Sequence, residues 1–286
     1  MTSVASNSAT PLPSPTPSRQ PRWLASRSNA ALILCACIGL GIFWLIGTLA
    51  GIPAEPEHQI SLLMQPNVVV AVVAAAIGLV VVTLLLHVLQ GSDDPLDPLF
   101  GAAMGLAALS WRGGTMTDLL QNTSQAVFLV LIVEMALLAA GLYGCWWMLR
   151  RIRPAKVDPR LATQVDWNGV LITTAVSAAI MAVIVTIFAT TDAKKQVIGA
   201  VAIGGFASAA IGYTFLENDC PLCYAAAPAV VGIVGYAWAY FFPGIYHVHR
   251  TTVALAYPLP LDYASVGVAA ALLGYWTGLR WKGEAE

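Results

Sequence analysis

From residue 30 onward the chain is a succession of apolar runs, 16 to 26 residues long, separated by short polar breaks. A bilayer's hydrocarbon core is about 30 Å thick, and an α-helix needs roughly 20 mostly apolar residues to cross it. The runs are Ala30–Ala50, Val68–Gln90, Leu96–Trp111, Ser124–Leu149, Asn168–Thr190, Gln196–Leu216, Tyr224–Phe242 and Tyr263–Leu279. They predict an all-α fold, a polytopic transmembrane helix bundle of about eight spans. The count falls to seven if the short third run, Leu96–Trp111, is re-entrant.

The placement of Lys and Arg decides between these counts, because cytoplasmic loops are enriched in both. With eight crossings one side carries Arg19, Arg22, Arg27, Arg150, Arg151, Arg153, Lys156, Arg160, Arg280 and Lys282. The other carries Arg112, Lys194, Lys195 and Arg250. With seven crossings the bias vanishes. Eight spans with both termini cytoplasmic is therefore the expected topology. In the absence of an organelle address, a bacterial inner membrane is the expected location.

Residues 1–29 differ from the rest. Thr10 to Arg27 is rich in Pro, Ser and Thr and nearly free of aliphatic residues. Such a stretch buries too little apolar area to offset its ordering entropy, so 1–29 reads as a disordered cytoplasmic tail ahead of a transmembrane domain at 30–282. A signal peptide would have an apolar region of about 7–15 residues, and Ala30–Ala50 is longer.

Composition agrees with the spans: 58% of the 286 residues are hydrophobic and 10% charged, against about 25% charged in soluble domains. A net charge of −1 gives no basic face for nucleic acid. The expected partners are the lipid bilayer and another membrane protein. Trp111, Trp146, Trp147, Trp167, Trp238, Tyr240, Tyr263, Trp276 and Trp281 lie near helix ends and read as interfacial anchors. His87, near a helix end, is expected to reach the interface.

Lipid tails are as apolar as leucine, so small residues that let backbones approach are what bring membrane helices together. Ala200, Gly204, Ser208 and Gly212 recur every four residues and predict a packing seam. Gly101 with Gly105, and Gly267 with Ala271, are shorter pairs of the kind general to membrane helices.

Three places carry candidate chemistry. Glu134 sits mid-run, where a carboxylate is costly and must face the bundle interior. It could relay protons or coordinate a cation, or it could be a neutral acid bonded to a neighbouring helix through Thr173, Thr174 or Ser177. His247 and His249, on the same predicted side as Glu55, Glu57 and His58, are weak candidates for a divalent metal. The third place is Cys220-Pro221-Leu222-Cys223. Two thiols three residues apart at a helix start can bond to each other, and a helix N-terminus favours the thiolate.

This four-residue segment resembles the dithiol of membrane thiol oxidoreductases of the disulfide-bond-forming class, which pass electrons to a quinone. That class also needs a second cysteine pair on its oxidising face. Here the remaining cysteines, Cys35, Cys37 and Cys145, fall in the same halves of their helices as the dithiol. The predicted topology puts that side in the cytoplasm, where thiols stay reduced; an inverted one would make it oxidising. Cys35 and Cys37, two apart on a helix, point in different directions, and these three cysteines read as small buried hydrophobes.

Three functional readings follow. Sparse polar content favours a non-enzymatic scaffold or partner subunit, with no cofactor. A small-solute or proton-coupled transporter would use Glu134 and needs a second polar group facing it, with broken helices near the midplane. A thiol oxidoreductase would use Cys220 and Cys223 and needs a quinone-sized apolar pocket beside them. A quinone or a divalent metal enters only under the alternatives to the scaffold.

Overall fold

A computed structural model of the chain describes residues 29–50, 61–90, 94–152, 167–242 and 252–285. Among the described residues every regular element is helical. In chain order these are α1 (Asn29–Leu49), α2 (Val68–Gln90), α3 (Leu96–Arg112), α4 (Met116–Asn122), α5 (Val127–Ile152), α6 (Trp167–Phe188), α7 (Lys194–Leu216) and α8 (Pro221–Phe241). The last, α9, starts as one turn at Pro260–Asp262, passes through a π-helical stretch at Tyr263–Gly267 and continues as Val268–Ala285. Short 3₁₀ turns at Leu62–Met64 and Ala254–Ala256 precede α2 and α9. The predicted tail, His58, His247 and His249 lie outside the described residues.

Six helices, α1, α2, α5, α6, α7 and α8, are long and apolar enough to cross a membrane. The two remaining long helices are the most enclosed. α3, with 17 residues, is buried at Leu99, Ala102, Ala103, Leu106 and Leu109. α9, whose last turns carry Arg280, Lys282 and Glu284, is buried at Tyr263, Ala264, Ala271 and Leu272. The outermost helices instead turn Ile33 and Leu45 of α1, Val69 and Ile77 of α2, and Leu171 and Ile187 of α6 outward. This is the order a lipid solvent imposes. Apolar side chains are free to face the tails, whereas small and polar residues gain most by packing inside.

Glycine seams hold the central helices. α1 and α3 run parallel: a Cβ on Gly39 would lie 2.0 Å from the Gly101 carbonyl oxygen, and one on Gly105 would lie 2.3 Å from Phe43 Cδ2. α7 and α9 also run parallel, with a Cβ on Gly274 2.1 Å from the Phe206 carbonyl oxygen. Ala200, Gly204, Ser208 and Gly212 are all buried along α7. Gly204 faces Met181 and Val185 of α6, and Gly212 faces Ser177 and Tyr224. Gly205, one position over, meets the Gly267 carbonyl of α9. α7 is thereby clasped on two sides by two different small-residue rows.

Polar contacts sort the helix ends into two levels. At one, Asp262 of α9 accepts from Lys194 at the start of α7 and from Ser110 near the end of α3, while Arg112 bonds Thr48 of α1 at 2.9 Å. At the other, Gln90 at the end of α2 bonds Cys35 near the start of α1, and Lys282 pairs with Glu217 just beyond α7 at 2.6 Å. Long helices therefore alternate in direction along the chain, α3 and α9 included.

Three expectations need correction. His87 does not reach an interface: it is buried in the α2 face that packs inward. Tyr263 and Trp276 are interior residues; Tyr263 donates to the Leu255 carbonyl at 2.8 Å, and Trp276 packs edge-on against Phe100. In both cases a position near the end of an apolar run belongs to a helix that starts earlier or runs further. Trp111, Trp147, Trp167, Trp238 and Trp281 are exposed. Trp146 and Trp147 carry the guanidinium groups of Arg150 and Arg151 over their rings, each 4.8 Å from the centroid.

Candidate functional site

The α7–α8 connection builds the dithiol. α7 ends at Glu217, whose φ of 51° is the left-handed turn that lets the chain leave the helix axis. Asn218 then ties the connection down: its side-chain NH₂ donates to Thr173 of α6 at 2.9 Å, and its oxygen accepts the Cys220 backbone N–H at 3.1 Å. Tyr213 donates to Asp219 at 3.3 Å. Cys220 is the N-cap of α8, and Pro221 occupies the first helical position, where the lack of an N–H costs nothing.

Cys223 falls in the first turn, buried, while Cys220 remains partly exposed. All five cysteines are free thiols. The Cys223 thiol donates to Cys220, and this bond draws the Cys220 thiol down from the ordinary 9.0 to about 6 against an opposing push from burial. The backbone N–H groups of Cys223 and Leu222 and the charge of Arg150 act in the same direction. The pairing thus favours the ionised form of Cys220, with its partner supplying the hydrogen bond.

Beside the motif lies an apolar cavity of about 330 Å³ between α5 and α8. Leu222, the residue between Pro221 and Cys223, forms part of its wall, with Ala225, Ala226 and Ala229 further along α8. Met135, Ala139 and Leu142 line it from α5, and Leu99, Ala264 and Val268 close its back. Tyr143 and Ala140, also in the lining, are exposed on the outer surface of the bundle, so the cavity opens sideways. Sequence reasoning missed this space. It arises where alanines of two helices distant in sequence face each other, and no local pattern reports that.

The structure places Glu134 far from the dithiol. It is buried in α5 and accepts three hydrogen bonds from the segment ahead of α2: the Ser61 hydroxyl and the Leu62 and Leu63 backbone N–H groups, the latter two at 3.2 Å each. None of the three partners expected from the sequence serves it. Thr173 holds Asn218, Thr174 donates to the Cys223 carbonyl at 3.3 Å, and Ser177 packs against Gly212.

Glu134 therefore holds a loop end inside the bundle. Its removal strands two backbone donors, each worth about 1–3 kcal/mol when unsatisfied. Glu134→Ala is expected to lower the melting temperature in detergent clearly. Glu134→Gln, which keeps one acceptor oxygen, should lower it by less than half as much.

Sequence reasoning also missed a second interior carboxylate. Asp262, 1% exposed, accepts from Lys194 Nζ at 2.7 Å, from the Ser110 hydroxyl and from the Leu259 N–H at 2.9 Å. It lies close enough to Glu134 for the two charges to interact. Its signal was its place as the third residue of a helix opened by Pro260, where an acid bonds the N-terminal N–H groups. Among the described residues no group of His, Cys, Asp and Glu is arranged to hold a metal ion.

The fold and this site define a class: a multi-pass membrane helix bundle with a vicinal dithiol at one helix start. No protein-family model, curated protein or solved structure matches the chain.

Proposed function

We propose that the chain is an integral membrane thiol–disulfide oxidoreductase, with Cys220 as the attacking thiolate and Cys223 as the resolving thiol. The observation that carries this reading is the asymmetry of the pair. Cys220 is partly exposed and fixed at a helix N-terminus, where its thiol is drawn below the ordinary range, while Cys223 is buried behind it and donates to it. In thiol–disulfide exchange the thiolate attacks, a mixed disulfide forms and the second thiol releases it.

The scaffold reading has its support in the sparse polar content of the spans, but it leaves this asymmetry without a use. The transporter reading gains a second carboxylate in Asp262 and a helix irregularity in the π stretch of α9. Both acids, however, are met by donors from this chain, which suits structural anchoring better than exchange with a passing solute.

Eight crossings with cytoplasmic termini fit the alternation of helix directions and the Lys and Arg asymmetry. In that orientation the dithiol faces the cytoplasm, close to Arg150, and a cytosolic dithiol is its natural reductant. Oxidation of the full chain in lipid nanodiscs by diamide tests the function. The expected product is a single intramolecular disulfide between Cys220 and Cys223, reopened by a soluble dithiol. A chain that stays fully reduced, or that links only between molecules, would remove the reading.

A further inference from the structure

We propose that the bundle holds one molecule of an anionic phospholipid, with its phosphate on Arg150 and Arg151 and an acyl chain in the cavity between α5 and α8. Neither Cys220 nor Cys223 lines this cavity, so the proposal is independent of the dithiol reading. The cavity, about 330 Å³, falls within the about 300–1,000 Å³ range of ligand pockets. Leu99, Met135, Leu142, Leu222 and Val268 give it an apolar wall. A charged or strongly hydrated group would lose its water there without compensation. The mouth lies at Ala140 and Tyr143, both exposed on the outer face of α5, so what enters comes from the membrane.

The same helix face carries the charge. Ala140, Tyr143, Trp147 and Arg150 follow one another three or four residues apart, and all four are exposed. Residues at that spacing share a face, so they form one stripe along α5. Arg151, also exposed, lies beside its end. With a rise of about 1.5 Å per residue, Arg150 stands about 10 Å along the axis from Tyr143 and about 22 Å from Met135, the lining residue of α5 furthest from it. One leaflet is about 20 Å deep from the headgroup surface to the midplane. A phosphate on the arginines therefore brings its own chain past the mouth, and the cavity covers the depth that this chain occupies.

The guanidinium groups are positioned for a phosphate. Arg150 lies over the Trp146 ring and Arg151 over the Trp147 ring, each 4.8 Å from the centroid. Stacking engages the face of a guanidinium and leaves its edge N–H groups for oxygen, in the fork that matches a phosphate. Among the described residues the ion pairs are Lys194 with Asp262 and Lys282 with Glu217, so no carboxylate among them competes for either arginine. A zwitterionic lipid brings the same phosphate together with a cation, which the arginines repel. A sterol or other neutral molecule would fill the cavity and leave the arginines unused. An anionic phospholipid meets both halves of the site.

Native mass spectrometry of the full chain in mild detergent tests the site, with phosphatidylglycerol and phosphatidylcholine of the same acyl chains added in equal amounts. The expected result is one phosphatidylglycerol retained per chain and little phosphatidylcholine. Each cation near an anionic lipid surface is worth about fivefold in affinity, so Arg150→Gln combined with Arg151→Gln should weaken phosphatidylglycerol retention at least about tenfold. Ala226→Phe, which fills the cavity, and Ala140→Phe, which blocks its mouth from the exposed face, should each weaken it with both arginines in place. Phosphatidylglycerol should also raise the melting temperature of the unaltered chain and not that of the variants. A single gel-filtration peak shows that each variant is folded. Inorganic phosphate in large excess should leave the lipid bound. Equal retention of the two lipids, several lipids per chain with no preferred single occupancy, or displacement by inorganic phosphate would overturn the assignment. So would retention that the paired Gln substitutions or both Phe variants leave unchanged.

Discussion

Cys220→Ser is expected to abolish thiol–disulfide exchange by the full chain, whereas Cys223→Ser should halt it one step later, as a trapped mixed disulfide. The difference follows from position. Cys220, partly exposed at the N-cap of α8, is the sulfur a partner can reach. Cys223, one turn further and buried, can attack only from within. Only the thiolate is a nucleophile, and the hydrogen bond from Cys223 draws the Cys220 thiol well below the ordinary range, which raises its ionised share near pH 7. An ordinary thiol is about 1% ionised there if its pKa is near 9. Removal of Cys220 thus takes away both reach and ionisation, and the rate should drop to that of a chain lacking all cysteines. Mass spectrometry of the Cys223→Ser protein after challenge with a small disulfide reads the second outcome. A Cys220→Ser chain that still exchanges through Cys223 would reverse the assignment of roles.

Gly274→Val should prevent stable assembly of the bundle. The clash is with backbone: a Cβ at this position would lie 2.1 Å from the Phe206 carbonyl oxygen and 3.1 Å from the Ala210 nitrogen. No rotamer change relieves it, so α7 and α9 must move apart. That opens the contacts of Gly205 with Gly267, and of Gly278 with Tyr213, on either side. Overpacking costs about 1–3 kcal/mol where side chains can adjust, and a contact between two backbones lies at or above the top of that range. The expected readout is aggregation, or loss of a single peak in detergent gel filtration. Gly144→Ala is the matched control, because nothing lies within 4 Å of the site of its Cβ. It should behave as the unaltered chain.

Much of the architecture was legible in the sequence because a lipid solvent makes length and apolarity sufficient. α2 spans Val68–Gln90, the predicted run, and Leu96–Trp111 differs from α3 by one residue. The misses have specific causes. α4 has only seven residues, too few for an apolar run, although Thr115 and Asp118 form the reciprocal cap that marks a helix start. α8 begins three residues before the predicted Tyr224, because Pro221, which cannot donate a backbone N–H, serves as the first helical residue directly after the polar break from Glu217 to Cys220. α9 begins three residues before Tyr263, again at a proline, and this start takes Asp262 into the first turn.

The candidate site was legible only in part. Cys220 and Cys223 declare themselves by spacing, and Glu134 by the cost of a carboxylate in an apolar run. What each touches was not readable. Ser61 lies 73 residues from Glu134, and the elements that bring them together are packed by glycine contacts with no sequence signature of pairing. The same holds for Asn218, whose bridge from Thr173 to Cys220 depends on the left-handed turn at Glu217.

The most direct measurement is the pH dependence of Cys220 alkylation, followed by mass spectrometry on the full chain in nanodiscs. The sign is fixed by the cause: hydrogen bonding from Cys223 favours the ionised form, so the midpoint moves down from the ordinary 9.0. The rate should rise with pH through a midpoint near 6 and be almost flat above 7.5, with Cys223 silent throughout. A Cys220 that reacts only as pH approaches 9, at a rate that Cys223→Ser leaves unchanged, would contradict a paired, poised dithiol.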